Sequence, residues 1–164
     1  MDDRLFLYLW DISRKNKYVR RASVFVSKAS RPFFAAAYAG AAVYVVASAP
    51  AFTPRNINFF AIPLAAMTLS FFLRKTLKRP RPGARLGVTP LVRTDGAYSL
   101  PSNHAASAAV IAAACMTVSL PFGMILAALA LLTGLCRVLA GAHFPSDVAA
   151  GWALGIAFGL LFLL

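Results

Sequence analysis

Residues 96–136 read GAYSLPSNHAASAAVIAAACMTVSLPFGMILAALALLTGLC, and between Asp95 and Arg137 no formally charged side chain interrupts them. Drawn as a single helix this run would be about 60 Å long at 1.5 Å per residue, twice the ~30 Å hydrocarbon layer of a bilayer. It has to double back, and the proline and glycine of SLPFG mark where. Two membrane spans are expected, near 104–120 and 122–141. Working outward, uncharged runs at 33–50 (after Pro32), at 56–73 (between Arg55 and Arg74) and at 148–164 supply three more. The chain of 164 residues is 60% hydrophobic with a mean hydropathy of +0.70, which excludes an ordinary soluble domain. The expected fold is all-α: one integral-membrane domain over residues 1–164, with about five transmembrane helices.

Outside these runs the chain is basic. The start, MDDRLFLYLWDISRKNKYVRR, opens with acidic residues and has no uninterrupted apolar core, so it does not read as a cleavable signal peptide. It reads as an amphipathic helix at the interface, with Leu5, Leu9, Trp10 and Ile12 against lipid, within a basic segment spanning 1–31. The longest polar stretch, RKTLKRPRPGARLGVTPLVRTDGAYSLP at 74–101, carries prolines and glycines that forbid a continuous helix; it is the expected active-site loop. Cys115 and Cys136 lie inside apolar runs, where a buried thiol is expected rather than a disulfide.

If spans two to five alternate in direction, the end of span two, the start of three, the end of four and the start of five share one face. That face collects Arg74, Lys75, Lys78, Arg79, Arg81, His104, Arg137, His143 and Asp147. Both histidines of the protein are among them. Cations such as Arg79 and Arg85 read most simply as helix-end anchors, but anchoring does not explain two histidines and an aspartate at helix entrances. In AHFPSD, Pro145 suits the first helical turn, so span five begins there, with His143 just before it and Asp147 inside it. A carboxylate four residues after an imidazole can accept a hydrogen bond from one ring nitrogen, fixing the tautomer and making the other a better nucleophile. In LPSNHAAS, Ser102 or Asn103 can cap span three, whose free N–H groups favour an anion, and His104 sits on that turn. Guanidinium forks facing such helix starts describe a phosphate site. Two histidines, five aspartates and no glutamate leave too few carboxylates for a two-metal hydrolase, so neither a metal nor a cofactor is expected.

The order of these motifs resembles the type 2 phosphatidic acid phosphatase superfamily. Cys136-Arg137, then five residues, His143, three residues and Asp147 match the spacing of its third motif. Pro101-Ser102-Asn103-His104 resembles the second, with Asn103 where glycine is usual. Arg81-Pro82 resembles the end of the first, whose lysine position holds Arg74, with Lys75 one residue later. The resemblance covers roughly residues 57–164. It implies a metal-independent lipid phosphatase in which His143 attacks phosphorus, Asp147 orients it and His104 protonates the leaving oxygen. Arg74 or Lys75, Arg81, Ser102, Asn103 and Arg137 would then hold the phosphoryl oxygens. The implied substrate is a membrane lipid phosphate, first a polyprenyl phosphate or diphosphate, then phosphatidylglycerol phosphate or phosphatidic acid.

A reading of another class is a non-catalytic protein whose basic face binds anionic lipid, which the net charge of +12 would suit. It explains cations but not the His and Asp spacing. Nucleic acid is not an expected partner, and a homo-oligomer stays open. Residues 1–31 carry eight Lys or Arg and residues 74–93 carry seven, against Arg55 alone on the other side, so the positive-inside rule puts the motif face in the cytoplasm of a bacterial plasma membrane.

Overall fold

The computed structural model describes residues 2–48, 53–94 and 96–164, and among these it is all helix and loop. The elements are α1 (Asp2–Lys15), α2 (Lys17–Ser48), α3 (Pro54–Leu77), α4 (Pro82–Leu86), α5 (Asn103–Met116), α6 (Leu120–Leu139) and α7 (Pro145–Leu160), closed by a 3₁₀ turn at Leu161–Leu163. Their starts follow local chemistry. Asn16 accepts from the backbone N–H of Tyr18 and Val19 at 2.9 and 3.2 Å and so caps α2. Thr53 caps α3 through the N–H of Asn56, with Pro54 in the first turn, and α7 likewise begins on Pro145. Lys78 stops α3 in a left-handed conformation, its N–H bonded to the Arg74 carbonyl.

Among the described residues three helices are long and apolar enough to cross a membrane: Pro54–Leu77, Leu120–Leu139 and Pro145–Leu163. Two elements depart from the sequence expectation. The span expected at 104–120 is a shorter helix that ends at Met116 with Thr117 as its cap, because the chain must already turn through 117–119 to let α6 begin beside Pro121. The span expected at 33–50 is the second half of α2, which starts at Lys17 and runs through Pro32 without a break; positions 49 and 50 lie outside the described residues.

α5 occupies the centre and packs against α2, α3, α6 and α7. It can be central because its buried face is small: Ala105, Ala106, Ala108, Ala112 and Ala114 with Val110 and Cys115. On α7, Gly151 and Gly155 meet that face, and a Cβ at either would stand 2.6 Å from the carbonyl oxygens of Ser102 and Ala106. Small residues in register let two backbones approach without lipid between them. Around this pair Phe34, Val45, Phe59 and Leu126 fill the core, and Tyr38 stacks on Phe59 while donating to its carbonyl at 2.9 Å. Outward, Val43, Leu64, Phe72 and Leu131 are exposed, as lipid-facing side chains are. Both cysteines are buried and free.

α1 differs from its expected place. Leu5 and Ile12 are exposed, but Trp10 is buried and Leu9 packs inward, with Phe6 and Trp10 in one cluster with Phe144, Val138 and Val148. The helix is seated on the ends of α6 and α7 rather than lying free on lipid, because its aromatic face finds Phe144, edge-on to Phe6 at 5.3 Å.

Candidate active site

The ends of α3 and α6 and the starts of α5 and α7 converge, as the parity of the spans requires. The Ser102 N–H donates to the Asp147 carbonyl at 2.9 Å and so ties the entrance of α5 to that of α7. The 74–101 loop is folded back on itself: Pro80 and Tyr98 form an isolated antiparallel bridge, and the Ser99 N–H donates to the Arg79 carbonyl at 2.9 Å. Arg74 donates to the Tyr98 carbonyl. These bonds aim the Ser99 carbonyl at the space between α6 and α7.

His143 stands there, buried, after a turn in which Gly141 adopts φ 76° and the Ala142 N–H bonds the Arg137 carbonyl. A side chain at Gly141 would also run into the Trp10 ring, 2.7 Å from a Cβ. His143 Nδ1 lies 2.9 Å from the Ser99 carbonyl oxygen. A carbonyl only accepts, so Nδ1 carries the proton and Nε2 presents its lone pair. Nε2 faces Arg81, whose Nη1 is 3.5 Å away. Arg81 is itself fixed by bonds to the carbonyls of Gly96 at 2.8 Å and Ala142 at 3.0 Å. Burial pulls the His143 pKa down to about 4 from the usual 6.5; the Asp147 carboxylate opposes this, and the positive charges of Arg137 and Arg81 add to it. The ring is neutral at pH 7.

Asp147 was expected to accept a hydrogen bond from the imidazole. It sits instead 3.7 Å from Nδ1, beyond hydrogen-bond reach, because the Ser99 carbonyl has that place. Its Oδ2 accepts the Phe144 N–H at 2.8 Å, the reach-back of a third-position acid to the helix cap, and its Oδ1 binds Arg79 at 2.8 Å. It remains a buried negative charge beside the ring.

The other sequence candidates divide. Arg137 is buried and its charge acts on His143. Ser102 is the cap residue of α5, yet its buried hydroxyl makes no cap bond and has no hydrogen-bond partner among the described residues. Asn103 turns to α3, accepting from the Ser70 hydroxyl at 2.8 Å. Lys75 is exposed over the Phe71 ring at 4.5 Å, while Arg74 points to the loop. His104 lines a cavity of about 250 Å³ together with Arg31, Phe34, Met67 and Ser107, a space that His143 does not border.

Arg79, read from sequence as an anchor, is a hub. It binds Asp147, the Ser146 hydroxyl at 2.6 Å and Asp2 of α1, and its guanidinium lies 4.6 Å from the Phe144 ring centre. Asp2 in turn accepts from the Ser146 N–H at 3.2 Å at the start of α7. Burial works against ionising Asp2, but the Ser146 bonds and Arg79 outweigh it and hold its carboxyl below the ordinary range. The RPRP repeat was a signal for Arg79; Asp2, far away in sequence, left none beyond its charge.

Residues 55–164 match the family model of the PAP2 superfamily. The chain is 31% identical over 108 residues to a lipid A 1-phosphatase of Rhizobium johnstonii, covering 63% of this chain and 44% of that protein. It is 29% identical over 99 residues to the undecaprenyl-diphosphatase BcrC of Bacillus subtilis, covering 60% and 51%. The chain thus spans about half the length of the curated relatives it matches. Its fold is similar to the crystal structure of a transmembrane PAP2-type phosphatidylglycerolphosphate phosphatase from Bacillus subtilis, with a TM-score of 0.54 and 24% identity over 98% of this chain and 92% of that one.

Proposed function

The chain belongs to the PAP2 superfamily, and on that premise we propose that it is a metal-independent lipid phosphatase working through a phosphohistidine. The observation that carries this reading is the clamped imidazole: Nδ1–H held by the Ser99 carbonyl, Nε2 unprotonated and 3.5 Å from Arg81 Nη1, and Asp147 next to the ring. An imidazole so fixed is a neutral nucleophile with one reactive nitrogen. Nε2 would form the bond to phosphorus as the bond to the leaving oxygen breaks. Asp147 would stabilise the positive charge that the ring then carries. His104 would protonate the leaving oxygen and afterwards take a proton from the water that releases phosphate. Arg81 and Arg137, with the Ser102 hydroxyl, would hold the phosphoryl oxygens where charge develops; Arg74 is better placed for this than Lys75, and Asn103 contributes backbone.

The substrate we favour is a polyprenyl phosphate or diphosphate, whose phosphate lies at headgroup depth where the helix ends meet. The similarity to an undecaprenyl-diphosphatase supports it. We infer five crossings, the two besides the three long apolar helices being α5 and the second half of α2, and a cytoplasmic site in a bacterial plasma membrane, from the charge of segments 1–31 and 74–93.

Detergent-purified protein given a polyprenyl phosphate, phosphatidylglycerol phosphate or phosphatidic acid in EDTA is expected to release phosphate, with vanadate as an inhibitor. Strict need for an added divalent metal, or no release from any of them, would overturn the reading. For sidedness, single cysteines at Thr53 and Gly83, in a background lacking Cys115 and Cys136, are to be probed in intact cells with an impermeant thiol reagent. Thr53→Cys should react from outside and Gly83→Cys only after lysis; the reverse would put the site outside.

A further inference from the structure

We propose that Asp2, on α1, is a positioning residue for the nucleophile: by sharing Arg79 with Asp147, it keeps a net negative charge beside the His143 ring. This rests on the phosphatase reading above, in which that charge stabilises the ring while it carries the phosphoryl group.

Arg79 lies between two carboxylates. Its Nη1 binds Asp147 Oδ1 at 2.8 Å, and its Nη2 binds Asp2 Oδ2. Were Asp147 its one carboxylate partner, the pair would be neutral, and Asp147 would present little charge to the imidazole. With Asp2 in place one cation faces two anions, and the group keeps a negative charge in excess. That excess matters because Arg81 and Arg137 both bring positive charge to the same ring. Burial opposes the ionisation of Asp2, but its bonds to Ser146 and Arg79 outweigh it and keep the carboxylate charged.

Asp2 also grips the backbone next to Asp147. The N–H groups of a first helical turn have no partner within the helix. Ser146 stands in that turn of α7, and Asp2 accepts from its N–H at 3.2 Å and from its hydroxyl. Phe6, edge-on to Phe144, seats α1 so that Asp2 reaches this place. A second ion pair, Asp3 with Arg85 at 2.8 Å, joins α1 to the loop as well, but its side chains are 35% and 46% exposed. Asp147 is 0%, Arg79 19% and Asp2 26% exposed. Exposed pairs are screened by water and salt and contribute little; enclosed ones keep their effect. Asp3 is therefore the control: it docks the same helix through Arg85 rather than through Arg79.

The test follows single-turnover consumption of farnesyl diphosphate, phosphatidylglycerol phosphate and phosphatidic acid by the full chain in detergent and EDTA. Asp2→Asn should lower the saturating rate roughly tenfold, as the loss of one charge-assisted interaction does. The half-saturating concentration should stay within about twofold, since uniform binding is untouched. Asp2→Glu keeps the charge and should return the rate to within about threefold of wild type, and Asp3→Asn should stay within about twofold. In an Arg79→Gln background, where no cation is left to share, Asp2→Asn should cost about twofold or less. Should Asp2→Asn not fold, Asp2→Ser reads the same comparison. An unchanged rate in Asp2→Asn, equal losses in Asp2→Asn and Asp3→Asn, or a loss undiminished in the Arg79→Gln background would overturn the proposal. Consumption of none of the three lipids by wild type would instead sink the phosphatase reading itself.

Discussion

Where α5 and α7 begin, their backbones are so close that a Cβ at Gly151 would touch the Ser102 carbonyl oxygen, and the Ser102 N–H is bonded to Asp147. At the far end of the same helices an apolar cavity of about 930 Å³ opens between α5, α6 and α7, bordered by Met116, Leu131, Ile156 and Leu160. The near end holds buried Arg81, Arg137, His143 and Asp147. At the far end Arg55 is the sole cation by sequence, and it bonds the Thr117 carbonyl. Buried charges are tolerated only when each is held by defined partners. At the near end these groups are held by defined partners, which is the arrangement that preorganisation of the proposed nucleophile requires. The far end, lined mostly by apolar side chains, carries no such demand.

This contrast can be broken most sharply at Asp147. Asp147→Asn preserves shape but removes the negative charge beside His143 and mismatches Arg79 and the Phe144 N–H. Turnover should fall by about three to four orders of magnitude with the helical content kept, as removing the orienting acid of a catalytic triad does; a loss under tenfold would show that the charge is dispensable.

Paired glycine changes ask whether close packing matters more at the site. Gly151→Ala drives a methyl into a carbonyl oxygen, whereas Gly159→Ala meets only the Ala113 methyl, at 2.7 Å. Overpacking of this kind costs about 1–3 kcal/mol. Gly151→Ala should lower activity tenfold or more and Gly159→Ala less than threefold, measured with thermal unfolding in detergent. Equal losses would erase the distinction.

The buried imidazole sharpens it by pH. In the unfolded chain His143 takes a proton near 6.5, but in the folded protein only near 4. Its contribution to stability is therefore full above pH 6.5 and lost as the pH falls from 6.5 to 4. For the same reason the rate of phosphoenzyme formation with a good leaving group should change less than threefold between pH 7 and pH 5, where an ordinary imidazole would lose about thirtyfold. A midpoint near 6.5 would mean a solvated ring. Smallest of all should be Arg55→Gln at the far end, within twofold of wild-type turnover.

The sequence made the bundle legible because hydrocarbon imposes a length and forbids charge, so Asp95 to Arg137 could only double back. The gathering of His143, Asp147 and Arg81 was legible for a related reason, since alternating spans leave charged helix ends one face to share. What escaped was set by contacts with no local signature. The Ser99 carbonyl takes Nδ1 because the loop is pinned at Pro80 and Tyr98, and no spacing announces a carbonyl. Arg79 looked like an anchor because its partners, Asp2 and Asp147, lie far along the chain on either side. Trp10 looked lipid-facing because amphipathicity gives a face but not what covers it.

The central claim is that His143 is the nucleophile. It is tested most directly by rapid acid-free quenching of the protein with a lipid diphosphate radiolabelled in its terminal phosphate, followed by peptide mapping. The expected result is a label that is labile to acid, stable to base, located on His143 and absent from His143→Ala. Label on another residue, or near-normal turnover by His143→Ala, would contradict it.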